Sequence, residues 1–377
     1  MKCVLFYHAF SSCWNNGNAH FLRGVSRELQ KLGHEVVVYE PVDGWSRLNA
    51  IGDGGEQALS EVLRLFPRID IKQYDRGSLD LDEALDGADL VLVHEWNSPD
   101  LVATIGLRRA QGSPFTLLFH DTHHRAVTAP WELEQVDLNG FDGVLAFGGV
   151  LREMYMKLGW ANRAFTWHEA ADVELYHPLP HISPSHDVVW IGNWGDDERA
   201  AELCRYLIEP ISSLGLRGKV YGVRYPKSAL EAIAEAGMEY GGWLPAYLAP
   251  NAFARARTTV HVPRGPYVRS LPGIPTIRMF EAMACGIPIV SSPWDDIEQL
   301  FAPDTYLRVR DGGQMKAALR VLLSDAEFSG KMADAAYGQI IERHTCRHRA
   351  IELIGIVDGI RTSRHAPVPA FCEEPAS

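Results

Sequence analysis

The chain has 377 residues, 46% hydrophobic and 22% charged, with a formal net charge of -12 at pH 7. That length is long for one core and suits two domains of ordinary globular composition. The acidic balance, with no long basic run, argues against a phosphate-backbone footprint on nucleic acid and against steady attraction to anionic lipid, while leaving room for local basic pockets.

The opening MKCVLFYHAFSSCW carries one lysine and an apolar run too short for a secretory h-region, and no stretch reaches about 18 uninterrupted apolar residues. No integral membrane segment is expected. The six cysteines, Cys3, Cys13, Cys204, Cys285, Cys346 and Cys372, never form C-x-x-C. Their scatter speaks against a disulfide framework or a cysteine-rich zinc site and fits a reducing cytoplasm.

Short β-branched and aromatic runs then alternate with segments of helical period. CVLFY is followed by GNAHFLRGVSRELQKLGHE, which sets Phe21, Leu22, Val25, Leu29 and Leu32 on one helical face and stops at Gly33, and then by EVVVYE. This is a β-α-β opening. DIKQY, DLVLVHE, FTLLFH, GVLAFG and AFTWHE continue the series. The triplet Asp80 to Asp82 opens an amphipathic helix and reads as capping. Through FTWHEAADVELYHPLPHISPSHD the periodicity lapses among histidines and prolines, and it restarts with DVVWIG, KVYGV, MEYGG, TTVHVP, IPIVSS and TYLRV. The expected fold is α/β, with two Rossmann-like doubly wound domains facing a cleft. The first domain is placed at 1–170, a linker at 171–186 and the second domain at 187–330. Helices over 331–363 cap the second domain or cross back to the first, and 364–377 is a flexible tail.

In open parallel sheets ligands sit beyond the carboxyl ends of the strands, so the loops SSCWNNGN, HEWNS, HDTHHR, GNWGDDER, GVRYP and RGPYVRSLPGIP draw attention. No G-x-G-x-x-G or P-loop pattern appears, which disfavours dehydrogenase and P-loop readings. In IPTIRMFEAMACGIPIVSS, Thr276 stands to cap a short helix that Pro275 leads into and Gly286 ends. The N-terminus of that helix would favour an anion such as a diphosphate. Arg278 and Glu281 share a face, so Glu281 is either half of a salt bridge or a set of acceptors for a ligand's diol.

That run, together with GNAHFLRGVSRELQKLGHEVVVYEP and ADVELYHP, resembles the group 1 glycosyltransferases of GT-B fold, and is most similar to their spore-maturation-protein-like (CgeB-like) branch. The likeness is strongest over 275–301 and faint over 41–88. It implies transfer from a nucleotide diphosphate sugar to a hydroxyl acceptor (a small molecule, a glycan or a lipid-linked acceptor) with no cofactor, no bound metal and retention of anomeric configuration. It implies that Glu281 accepts from the ribose hydroxyls, that His120 faces the transferred sugar beside Asp121, and that Gly17 lies in the glycine loop of the first domain. Asn193, Arg199, Arg264 and Arg278 fall to the donor, the arginines offsetting charge on the diphosphate leaving group. The chain departs from the pattern at Gly273, where many group 1 enzymes carry a second glutamate, so sugar recognition differs here. Three further readings stand beside this one: a metal cluster of His120, Asp121, His123 and His124; a nucleotide-sugar epimerase; and a non-catalytic nucleotide-sugar-binding protein.

Overall fold

The computed structural model describes residues 1–196 and 198–365. Residues 366–377, most of the stretch read as a tail, lie outside the described residues. Thirteen strands form, one at each place where the sequence reads as strand. β1 Lys2–Phe6, β2 Glu35–Pro41, β3 Asp70–Tyr74, β4 Leu90–His94, β5 Thr116–Asp121, β6 Gly143–Ala146 and β7 Ala164–Thr166 make one sheet. β8 His186–Ile191, β9 Gly218–Tyr221, β10 Glu239–Tyr240, β11 Ala256–His261, β12 Ile289–Ser291 and β13 Leu307–Arg308 make the other. Their orders are β3-β2-β1-β4-β5-β6-β7 and β10-β9-β8-β11-β12-β13. The paired strands run parallel, as in β1 with β4 and β8 with β11. Each order reverses direction beside its first strand, which puts a topological switch point at the carboxyl ends of β1 and β8.

Burial on both faces explains why these strands read as near-continuous apolar runs. Leu5, Val38, Leu92 and Leu118 face one core, while Val4, Val37, Val93 and Phe119, one residue out of step, face another. The first of these cores is shared between the halves: it continues through Trp167 and Tyr176 to Ile191, Phe253, Met279, Phe280 and Ile289. The outer face of the second sheet is closed separately by Leu203, Ile211, Met315 and Leu319 against Val188, Val220 and Val260. No helix among the described residues is long and apolar enough to cross a membrane.

The chain passes between the halves twice at one place. Ala171 and Thr345 form a parallel bridge, with Ala171 N–H donating to the His344 carbonyl at 2.9 Å and Cys346 N–H to that of Ala171 at 2.9 Å. The helix Cys346–His365, which runs into the stretch read as tail, then lies against the helix Ala19–Lys31 of the first domain. The close approach needs Gly24, because a Cβ there would sit 2.6 Å from Cys346 Sγ and 2.9 Å from Asp172 Cβ. Substituting Gly24→Ala is therefore expected to lower stability by about 1–3 kcal/mol, the usual cost of overpacking, measured as a drop in the denaturation midpoint. An unchanged midpoint would show that this helix pair is loosely seated.

Candidate active site

The carboxyl ends of both sheets face a cavity of about 780 Å³, within the range of small-molecule sites. On the first-domain side it is walled by His8, the Cys13–Asn18 loop, Trp96, Thr122 to His124, Phe147 and Glu169. The second domain supplies Trp190, Arg199, Arg224, Arg264, Tyr267 and the helix entry Pro275 to Arg278. A second cavity of about 620 Å³ opens behind Trp243 on the helix Trp45–Leu65; its single arginine, Arg64, is already paired with Glu61. The larger cavity lies at both switch points and holds the unusual backbone. Of the four described non-glycine residues with left-handed φ, Asn15 (φ 51°), Asp196 (φ 49°) and Arg224 (φ 61°) line it and Gln299 (φ 53°) does not; strained backbone of this kind collects at ligand sites.

The loop after β1 is held from below by the buried carboxylate of Glu40, which accepts from Phe10 N–H at 2.7 Å and Ser11 N–H at 3.1 Å. This lets Gly17 touch the second domain: a Cβ there would lie 2.9 Å from Ile277 Cγ2. Beside it, Asn193 Nδ2 donates to Asn15 Oδ1 across the cleft.

Arg199, 7% exposed, lies 5.1 Å over the Trp190 ring and donates to Val262 O at 3.0 Å and to Asn193 O at 2.8 Å. Burial, and then the nearby Arg264, bring its guanidinium down to about 10, so it stays charged at neutral pH. Arg264 donates to Glu198 Oε2 at 3.0 Å, and His124 Nε2 of the first domain lies 3.5 Å from the same oxygen. Arg199, Arg264 and Arg278 thus line the second-domain wall with Asn193, and Gly17 faces them from the first-domain loop.

Thr276 sits at the N-cap of the helix Ile277–Ala284 in extended conformation, but its side chain makes no capping bond. Gly286 (φ 66°) ends the helix as expected. Glu281 departs from the sequence picture. It is fully buried, does not line the cavity, and is paired with Arg278 of its own helix and with His20, whose Nδ1 is 2.9 Å away. Burial alone would raise its pKa, but Arg278 and His20 outweigh it and hold the carboxyl below its ordinary value of 4.5. Of the two readings of Glu281, the salt bridge is the one the structure contains; the carboxylate stands behind the arginine that faces the cavity rather than in the cavity itself.

His120 and Asp121 require correction. Both are completely buried and neither lines the cavity. Adjacent on β5, they point into opposite faces of the sheet. His120 packs 4.9 Å from the Trp167 ring, and burial lowers its pKa to about 3. Asp121 accepts from Tyr155 Oη at 2.7 Å and from His123 N–H at 3.0 Å. The alternation of a strand also breaks up the supposed cluster of His120, Asp121, His123 and His124, because only the last two emerge into the cavity. They are positioned by a buried network. Glu95 accepts from Thr122 N–H at 2.8 Å and from Arg125 at 2.9 Å, and Arg125 lies 4.1 Å over Trp96. Burial and the neighbouring Asp121, opposed by Arg125, push the Glu95 carboxyl up to about 8. Burial likewise lowers His123 to about 2 and His8 to about 3, so this wall carries neutral imidazoles.

Sequence reasoning missed His8, Tyr267 and Glu169. The signal for Glu169 was present, since AFTWHE places it just past the end of β7, but the surrounding prolines and histidines led the stretch to be read as linker.

Residues 15–175 match the family model described as "Glycosyltransferase Family 4", and residues 199–355 match "Glycosyl transferase-like". Among solved structures, sucrose-phosphate synthase from Thermosynechococcus elongatus aligns with a TM-score of 0.66 at 14% identity, covering 96% of this chain and 100% of that one. HepE of Anabaena in complex with UDP-glucose gives 0.67 at 12%, covering 95% and 100%. T4 phage BGT in complex with its UDP-glucose substrate gives 0.60 at 12%, covering 96% and 99%. No curated protein matches in sequence. The protein is a group 1 glycosyltransferase of GT-B fold, with one glycosyltransferase domain in each half.

Glu281 is fully buried between His20, also buried, and Arg278, which reaches the cavity, so Glu281→Ala is expected to cost about 1–3 kcal/mol of stability, as loss of a buried hydrogen-bonding partner does. The sign of its pH dependence follows from the lowered carboxyl pKa. Its contribution is complete above the ordinary glutamate value of 4.5 and is lost as pH falls through the folded value. Wild type and Glu281→Gln should therefore converge in stability as urea titrations move from neutral to acid pH, and a gap that widens would contradict the ion pair.

Proposed function

We infer that this protein moves a glycosyl group from a nucleotide diphosphate sugar to a hydroxyl acceptor. The observation that carries the reading is the second-domain wall of the cavity, where three arginines gather at the entry to a helix whose free N–H groups point the same way. Such a wall suits a diphosphate that gains charge as the glycosidic bond breaks. The nucleotide base and ribose fit between Trp190 and the Gly17 loop, with Glu281 behind Arg278 fixing the guanidinium that reaches the donor. If Glu281 accepts from ribose hydroxyls, as the family resemblance implies, Arg278 must first turn aside.

Chemistry through the arginines needs no bound metal, and the acceptor hydroxyl would approach from the wall of histidines. There His8, His123 and His124 replace His120 as the imidazoles available to it. Retention of configuration and membership of the CgeB-like branch rest on the sequence resemblance. The acceptor is a small molecule, a glycan or a lipid-linked sugar; a net charge of -12 disfavours nucleic acid. Five unpaired thiols, at Cys3, Cys13, Cys204, Cys285 and Cys346, support a cytoplasmic setting.

A thermal-shift panel of UDP, GDP, ADP, CDP and dTDP tests the donor site, because a ligand bound only by the folded state raises its stability. One nucleotide is expected to raise the melting temperature, and Arg264→Ala should weaken it about tenfold, equivalent to about 1.4 kcal/mol. The corresponding nucleoside should bind both proteins equally. Turnover should survive a chelator, and loss of activity that only a divalent cation restores would overturn metal independence. No response to any nucleotide would move the reading to a non-catalytic protein, and donor isomerised without acceptor would move it to an epimerase.

A further inference from the structure

Three carboxyl groups line the cavity among its described residues. Asp196 is paired with Arg224 at 3.0 Å and Glu198 with Arg264 at 3.0 Å. Glu169 is different: it is 6% exposed, and among the described residues its carboxyl enters no hydrogen bond or ion pair. Its oxygens are not among the wholly buried atoms, so a carboxyl with no protein partner is left facing the cavity and whatever fills it. Burial, and then the nearby Glu281, hold its proton on well above the ordinary range, with Arg278 acting in the opposite sense.

Its mounting is rigid. Two residues before it, Trp167 Nε1 donates to Arg349 O at 2.9 Å; next to it, His168 lies 3.0 Å from Phe147 O through Nδ1 and 3.1 Å from Glu298 through Nε2. Two residues beyond, Ala171 forms the bridge to Thr345. Both domains therefore fix the backbone on either side of Glu169. No side chain can enter from the loop at Gly273, where φ is 89° and a Cβ would lie 2.9 Å from Ile297 Cγ1. Glu281 is engaged by Arg278 and His20.

We propose that Glu169 holds the transferred sugar in the donor site, through hydrogen bonds between its carboxyl group and hydroxyls of the glycosyl unit; this rests on the donor reading given above. A diphosphate would be repelled by a carboxylate and is served by the arginines on the opposite wall. A sugar ring offers neutral hydroxyls, and a protonated carboxyl gives one donor and one acceptor to meet them. Carrying its proton, Glu169 also avoids repelling the diphosphate beside it. Tyr267 lines the same cavity, and burial and then Glu169 raise its phenol, which therefore keeps its proton.

The test compares Glu169→Leu and Glu169→Gln with the unsubstituted protein, using the free nucleoside diphosphate that the panel identifies and its glucose-bearing and other sugar nucleotides. Leu fills the volume without a buried polar group, so its melting temperature should stay level or rise. Affinity for the free nucleoside diphosphate should not change. Affinity for the sugar nucleotide relative to it, and the rate of nucleotide release from the sugar nucleotide, should fall about 30-fold, and Gln should recover most of that loss. The proposal is overturned if the Leu variant keeps sugar affinity and release, if it loses nucleoside diphosphate affinity by the same factor, or if its melting temperature drops as for a structural residue. An unsubstituted protein that binds no nucleoside diphosphate removes the donor reading and this assignment with it. One that binds normally, alongside a Leu variant that behaves identically, removes this assignment alone.

Discussion

A single carboxylate excluded from water organises the cleft. Glu281 can exist at its site only because Arg278 and His20 face it, and these come from different halves of the chain. Removing a carboxylate from water costs several kcal/mol unless it is paired, so the demand is met only when the helix Ala19–Lys31 of the first domain approaches the helix Ile277–Ala284 of the second. The same approach brings Gly17 against Ile277, which any larger residue would prevent. Electrostatics thus sets the distance between the domains, and the distance sets the cavity.

The two walls of that cavity have opposite chemical character. The second domain presents fixed positive charge, and because Arg199 and Arg264 already donate to protein oxygens they are oriented before any ligand arrives. Such preorganisation spares reorganisation when charge develops. The first domain presents imidazoles kept neutral by burial at His8 and His123, supported from behind by Glu95 and Asp121, whose carboxyls burial raises. A chain of net charge -12 therefore gathers cations on one wall of its cavity and uncharged bases on the other.

Much of the architecture was legible in the sequence, because the central strands of both sheets are buried on both faces and so spell β-branched or aromatic runs that a helix does not. Part of the cavity lining was legible for a related reason: Asn193 and Arg264 stand just past the ends of β8 and β11, where the carboxyl-end rule looks, while Gly17, Arg199 and Arg278 lie further along the loops and helices that follow. His120 and Asp121 were misplaced because the rule does not resolve the last residue of a strand from the first residue of its loop. On β5 that single step separates a side chain in the core from one in the cavity. Glu281 was read as facing ligand because spacing shows Arg278 on its face but cannot show His20, which is distant in sequence. Glu169 stands just past the end of β7, where the same rule applies, and was passed over because the histidines and prolines after it made the stretch read as linker.

The double crossing at Ala171 and Thr345 has a consequence for the order in which the protein is made. The helix Ala19–Lys31 belongs to the first domain, yet the face that carries Gly24 is closed by the helix Cys346–His365, which leaves the ribosome after the whole second domain. The domain synthesised first is consequently the one completed last, and through most of synthesis its strands carry one helix whose apolar face awaits a partner more than three hundred residues away.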